Sequence, residues 1–205
     1  MSGLIEAASL FAVVFALNVI PAFAPPTWMA LSWVGFSRPL LNPFVVAALG
    51  ALAATAGRIV LARLARVVRR RWLSAALRDN IDEIRESLER HRTLTFSGFL
   101  LYAFGPFPSN YLFIAYGLTT LPLWLAAVPF CIGRFVSYSF FVFTASEVAQ
   151  RLAAEATEAQ QYFGLYFILS QLLLLGLVVA LTRIDWHHLR TTKRFRWLRA
   201  KNARE

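Results

Sequence analysis

Phe104-Gly105-Pro106-Phe107-Pro108-Ser109-Asn110 lies in the middle of an apolar stretch spanning 94–117, and its reading decides the fold. Proline removes a backbone donor and clashes with the preceding turn, so a helix breaks there. The halves on either side are each too short to cross a bilayer, which takes about 20 apolar residues as a helix. Non-helical backbone at membrane depth survives only where protein or a water-filled cavity shields it. The stretch therefore predicts a re-entrant, broken helix.

The same pattern occurs earlier. An apolar stretch at 4–36 is interrupted by Pro21, Pro25 and Pro26. Three further stretches, 43–62, 121–144 and 162–182, are long enough to span a bilayer. Hydrophobic residues make up 58% of the 205 residues, too many for a soluble domain of this size to bury. Ala22-Phe23-Ala24 resembles a signal-peptidase site. However, no Lys or Arg precedes Arg38, Glu6 occupies the region where positive charge belongs, and Pro25 follows the cut. Cleavage there is not expected.

The charge distribution orients the chain. The segment 63–92 opens with Arg63, Arg66, Arg69, Arg70 and Arg71, continues through Asp82, Glu83, Glu86 and Glu89, and reads as an amphipathic surface helix pair. The tail 183–205 is basic, whereas the 145–161 loop sets Glu147, Glu155 and Glu158 against Arg151 alone. The positive-inside rule puts both basic segments in the cytoplasm. Helix 162–182 then runs outward-in, helix 121–144 inward-out, and 94–117 must begin and end on the cytoplasmic side. Helix 43–62 runs outward-in. Residues 4–20 either cross alone or form half a hairpin. The net charge of +10 and pI near 10.8 would suggest nucleic acid in a soluble protein, but here topology accounts for them.

The two broken stretches belong to a longer similarity. Pro26-Thr27 is followed by Gly35 and then Gly57-Arg58-Ile59-Val60; Pro108-Ser109 is followed by Gly117 and then Gly133-Arg134-Phe135-Val136. Each unit is a Pro-broken hairpin, a glycine, a helix and a Gly-Arg-x-Val element. The two spanning helices run in opposite directions, so the repeat is inverted. Inverted repeats with matched Pro-interrupted segments point to a transport site near the midplane, where freed helix ends hold an anion away from water.

Arg134, inside an apolar helix, needs a partner, because a charge there costs about 2.5–3.5 kcal/mol on insertion scales. A phosphate headgroup is one such partner. Arg58 reads as lying near the cytoplasmic end of its helix, where it can snorkel. Asn18 and Thr27 flank the first break, and Ser109, Asn110 and Tyr111 follow the second. Singly they satisfy freed backbone; together they would line a polar cavity. Tyr102, Tyr116 and Tyr138, with Trp28, Trp33 and Trp124, read as interfacial anchors.

No carboxylate lies between Glu6 and Asp79 or between Glu89 and Glu147, so proton coupling lacks a titratable group at depth. There is no catalytic set of Ser, His and Asp, no phosphate loop after a strand and no metal-ligand cluster. Cys131 is a lone cysteine, and His187 and His188 sit in the basic tail. Neither an enzyme nor a cofactor is expected.

The run Tyr102-Ala-Phe-Gly-Pro-Phe-Pro-Ser-Asn-Tyr-Leu-Phe-Ile-Ala-Tyr-Gly117, with the apolar stretch to Ile132-Gly133 and the earlier Pro21-to-Gly57 region, resembles the DedA or VTT-domain membrane proteins (the SNARE-associated Golgi protein family). The resemblance covers roughly 15–144. It implies two facing re-entrant hairpins and lipid scrambling or flipping, including polyprenyl phosphate or phosphatidylethanolamine in bacteria. Many bacterial members carry an acid near the first hairpin, where this chain has Asn18, Ala22 and Thr27, and arginines flanking the second, where it has Gly105 and Tyr111. Those absences argue against proton-driven export. They leave passive scrambling, a divergent substrate or a lost transport role.

The expected fold is an all-α integral membrane protein with two inverted, Pro-broken re-entrant hairpins, each followed by a transmembrane helix, plus a C-terminal transmembrane helix. Its segments are 1–62, 63–92, 93–144, 145–182 and 183–205. The expected location is a bacterial inner membrane, with the C-terminus cytoplasmic. The expected function is movement of anionic phospholipid or polyprenyl-phosphate headgroups between leaflets, with Arg134, Arg58, Asn18, Thr27, Ser109, Asn110 and Tyr111 as the binding residues. The alternatives are export of small amphipathic compounds, or a non-transporting scaffold that binds a partner through its basic helices. Membrane lipids are the expected partner, nucleic acid is not, and a homo-oligomer is permitted.

Overall fold

The structure, a computed structural model, describes residues 2–22, 24–38, 40–104 and 109–155, with isolated positions from 164 to 176. The described residues form seven helices and no strand: α1 (Ser2–Val19), α2 (Thr27–Ser37), α3 (Pro43–Trp72), α4 (Ala75–Arg90), α5 (Arg92–Phe104), α6 (Ser109–Leu118) and α7 (Trp124–Glu155). The chain divides into two units, Met1–Phe163 and Gly164–Glu205. In the second, helical backbone is described at 164–165, 168–169, 172–173 and 176. The expected last transmembrane helix, 162–182, lies mostly outside the described residues, as do Pro106, Pro108 and the basic tail 183–205.

α3 and α7 each contain a segment long and apolar enough to cross a membrane, Pro43–Trp72 and Trp124–Arg151. The α3 start is well specified: Asn42 accepts the Phe44 N–H at 3.0 Å and Pro43 sits at the first helical position, where its missing donor costs nothing. α3 does not stop at Ala62, where the apolar run ends. It continues to Trp72 because Arg and Leu are good helix formers, and Arg69, Arg70 and Arg71 fall in the last turn, where cations suit the helix dipole. α7 likewise runs through the expected loop start to Glu155, and it continues through Pro129.

By contrast, α5 has 13 residues and α6 has 10, about 20 and 15 Å of helix against a hydrocarbon core of about 30 Å. α2, with 11 residues, is equally short. Each of these three helices is too short to cross that core alone.

The long helices pack against each other and carry the short ones. α1 packs on α3 and α5 on α7, while α2 crosses to α7 and α6 crosses to α3. Glycines set the closest approaches. A Cβ on Gly57 would meet the Phe15 carbonyl oxygen at 2.7 Å, and one on Gly133 would meet Ala103 Cβ at 2.6 Å. A Cβ on Gly35 would meet the Val142 carbonyl oxygen at 2.7 Å, and one on Gly117 would meet that of Ala62. Small residues let helix backbones approach this closely where lipid provides no hydrophobic drive.

The core combines apolar and polar groups. Phe99, Phe113, Phe130 and Tyr116 form an aromatic cluster joining α5, α6 and α7, with ring centroids 4.9–5.9 Å apart. Arg58, Asn18, Ser109, Ser32 and Ser139 are buried as well. The outward faces of α3 and α7 expose Phe44, Val45, Leu52, Ile132, Val136 and Phe140. Apolar side chains outside and a buried cation inside reverse the usual arrangement in water.

Candidate functional site

Arg58 sits in the middle of α3, and its guanidinium is buried. The sequence reading put it near a helix end, free to snorkel. The extension of α3 to Trp72 moves the surface about three turns further away. Its Nε donates to Ser109 Oγ at 3.1 Å and its Nη1 to the Asn18 carbonyl at 3.0 Å. Asn18 closes the last turn of α1, and Ser109 opens α6. Arg58 therefore joins the end of α1 to the start of α6.

The surrounding bonds extend this junction. Asn18 Nδ2 donates to Val14 O at 2.8 Å and to Thr27 Oγ1 at 2.9 Å, fixing the end of α1 to the start of α2 across the proline segment. Asn110 Nδ2 donates to the Pro21 carbonyl at 2.6 Å, so the start of α6 also touches the first break directly. A carbonyl at a proline-broken turn has lost its helical donor, and side-chain amides replace it. Five of the seven predicted binding residues thus meet: Arg58, Asn18, Thr27, Ser109 and Asn110. Tyr111 does not join them; its side chain faces outward, 58% exposed.

Arg134, on α7, occupies the position corresponding to Arg58. Its guanidinium lies over the Phe130 and Tyr138 rings, 5.2 and 5.8 Å from their centroids. Facing aromatic rings stabilise a cation at reduced hydration. Arg58 and Arg134 lie within electrostatic reach of each other and of Tyr102, and the two charges repel. Among the described residues no carboxylate forms an ion pair with Arg58.

Two groups of residues prove different from the sequence reading. Tyr138 and Tyr116 are buried inside the bundle, not anchored at an interface; Tyr116 Oη donates to Pro122 O at 3.1 Å, and Trp28 stacks on Phe141 at 4.8 Å. Trp33 and Trp124 are exposed, as an anchor would be. Arg66 and Arg69 also do more than orient the chain. Arg69 donates to Leu118 O at 2.8 Å and holds both Asp82 oxygens, at 2.8 and 2.7 Å, while Arg66 donates to Leu121 O. They cap the end of α6 and attach α4. The available signal was spacing: Arg58, Ala62, Ala65 and Arg69 share one helix face.

No candidate metal cluster of His, Cys, Asp and Glu occurs among the described residues. No family model, no curated protein and no solved structure matches the chain.

Proposed function

We propose that this protein is a bacterial inner-membrane lipid scramblase that lets anionic headgroups cross at the junction of two re-entrant hairpins. The observation that carries the reading is Arg58: a buried guanidinium between two broken helices, with no carboxylate partner among the described residues. A charge in that position is costly unless an anion visits it. A phosphate headgroup supplies that anion, and its tails remain in the bilayer.

Three observations support the inverted repeat behind this reading. The main packings are exchanged in matching pairs: α1 on α3 corresponds to α5 on α7, and α2 on α7 to α6 on α3, whereas the weaker contact of α2 with α3 has no counterpart. Gly57 and Gly133 each make the close approach to the first arm of their own unit, and Gly35 and Gly117 to the long helix of the other. An ion pair between Glu6 and Arg38 joins the outer ends of α1 and α2, as a hairpin returning to its own side requires. The resemblance to the DedA or VTT-domain proteins points the same way. With the basic end of α3 in the cytoplasm, the α1–α2 hairpin opens on the opposite side. Since no acid lies at depth, transport is passive.

The test is reconstitution in liposomes containing a fluorescent phospholipid, followed by an impermeant reductant. Scrambling predicts quenching beyond the outer leaflet's half, slowed at least tenfold in Arg58→Gln. Quenching that stops at one half, with folded protein and both phosphatidylglycerol and a polyprenyl phosphate tried, would sink the proposal.

A further inference from the structure

A groove of about 510 Å³ runs between α4, α5 and α6. Its volume is within the roughly 300–1,000 Å³ usual for small-ligand sites. One wall is apolar and includes Leu88 and Leu112; the other carries His91, at the link between α4 and α5, and then Thr95, Gly98 and Tyr102 along α5. These four positions are spaced by four, three and four residues, so they stack one turn above the next. From His91 to Tyr102 the groove covers about 16 Å of helix, close to the roughly 15 Å depth of one leaflet's hydrocarbon.

The inner end of the groove determines what fits. Tyr102 lies within electrostatic reach of both Arg58 and Arg134. Among the described residues no carboxylate lines the groove. The Thr95 hydroxyl is bonded only back to carbonyls of its own chain, His91 O at 3.1 Å and Leu88 O at 3.3 Å, a local bond readily exchanged for a phosphate oxygen. At Gly98 an added Cβ would meet nothing within 4 Å, so the passage is open there.

We infer that this groove is the lipid's entry track: one acyl or isoprenoid chain lies against the Leu88 and Leu112 wall while the phosphate passes along His91, Thr95 and Tyr102 to the arginine pair. The inference rests on the scramblase reading but makes a separate claim, that a lipid occupies this face of α5.

Gly98→Phe is the decisive variant, because it fills open space rather than packed backbone. Gly3→Phe, also in open space, is the control. The protein is placed in phosphatidylglycerol vesicles containing a phospholipid with a photoactivatable acyl chain, and labelled peptides are mapped. The expected result is labelling concentrated on 94–102, lost in Gly98→Phe and kept in Gly3→Phe, with scrambling at least tenfold slower in Gly98→Phe only. Labelling spread evenly over the exposed faces of α3 and α7, or unchanged in Gly98→Phe, overturns the track. If the wild type scrambles and folded Gly98→Phe scrambles equally fast, the track fails and the scramblase reading stands. If the wild type does not scramble, that reading fails, and the labelling pattern alone decides whether a lipid occupies the groove.

Discussion

Arg58 and Ser109 are 51 positions apart in sequence, yet Nε of the first donates to Oγ of the second at 3.1 Å, inside the protein. The bond fixes the start of α6 against the middle of α3. It is a modest interaction for its position. A neutral acceptor offsets only part of the cost of removing a guanidinium from water.

That imbalance gives the first prediction. Arg58→Met replaces a buried, unneutralised charge with an apolar side chain of similar length. Thermal unfolding in detergent should show a midpoint unchanged or raised, as replacing buried ionic groups is often neutral or stabilising by about 1–4 kcal/mol. Scrambling by the same variant should fall at least tenfold. A variant that unfolds early would make Arg58 a structural strut instead.

Asn18 should behave in the opposite way. Its buried side chain donates to Val14 O and Thr27 Oγ1, and Leu there would remove both bonds and the tie from α1 to Thr27. Asn18→Leu should cost about 1–3 kcal/mol of stability, read by the same melt, while Asn110→Ala, at a more exposed bond, costs less than about 1.5.

Glycine substitutions sort by neighbour. Gly117→Ala forces a methyl into the Ala62 backbone and Gly57→Ala into the Phe15 carbonyl, and neither target can rotate away. Each should destabilise by about 1–3 kcal/mol. Gly98→Ala, in open space within α5, should stabilise by up to about 1 kcal/mol. Equal effects at all three positions would mean the helices do not meet as described.

The Glu6–Arg38 pair offers a test of the first hairpin's shape. In a Cys131→Ser background, Glu6→Cys with Arg38→Cys should crosslink on oxidation, and an impermeant thiol reagent should reach both from the same face of the vesicle. Accessibility from opposite faces would mean α1 crosses alone. The ion pair itself is exposed, so neutralising either partner should leave stability little changed.

Arg69 predicts a local effect. Arg69→Gln removes both bonds to Asp82 and the cap on Leu118, so α4 should loosen from α3, keeping there the bond from Arg78 to the Arg70 carbonyl. Limited proteolysis should cut at Leu73-Ser74, the short link between α3 and α4, several-fold faster than in the wild type. Unchanged cleavage would show that α4 is held elsewhere.

Much of this was legible in the residues. The prolines at 21, 25 and 26 marked the break between α1 and α2, and the matched Gly-Arg elements marked the two helices that carry the rest. Arg58 was misplaced because hydropathy ends a span where charge begins, whereas the backbone continues helical for another ten residues. The buried tyrosines were misread for a related reason. Amphipathic rings favour interfaces on average, and only three-dimensional packing reveals that Tyr138 faces Arg134. The contact between Asn110 and Pro21 depends on two segments meeting 89 positions apart, which no local pattern encodes.

The crossed packing of the short helices has a consequence for biogenesis. α2 rests on α7 and α6 on α3, so each half lends the other its long helix. During synthesis α2 emerges well before the surface it will rest on, and Gly35 waits for Val142. The first half is therefore made with one arm undocked until the second half arrives. A chain cut at 73–74 would yield two fragments, neither of which can complete itself, and which recover only together.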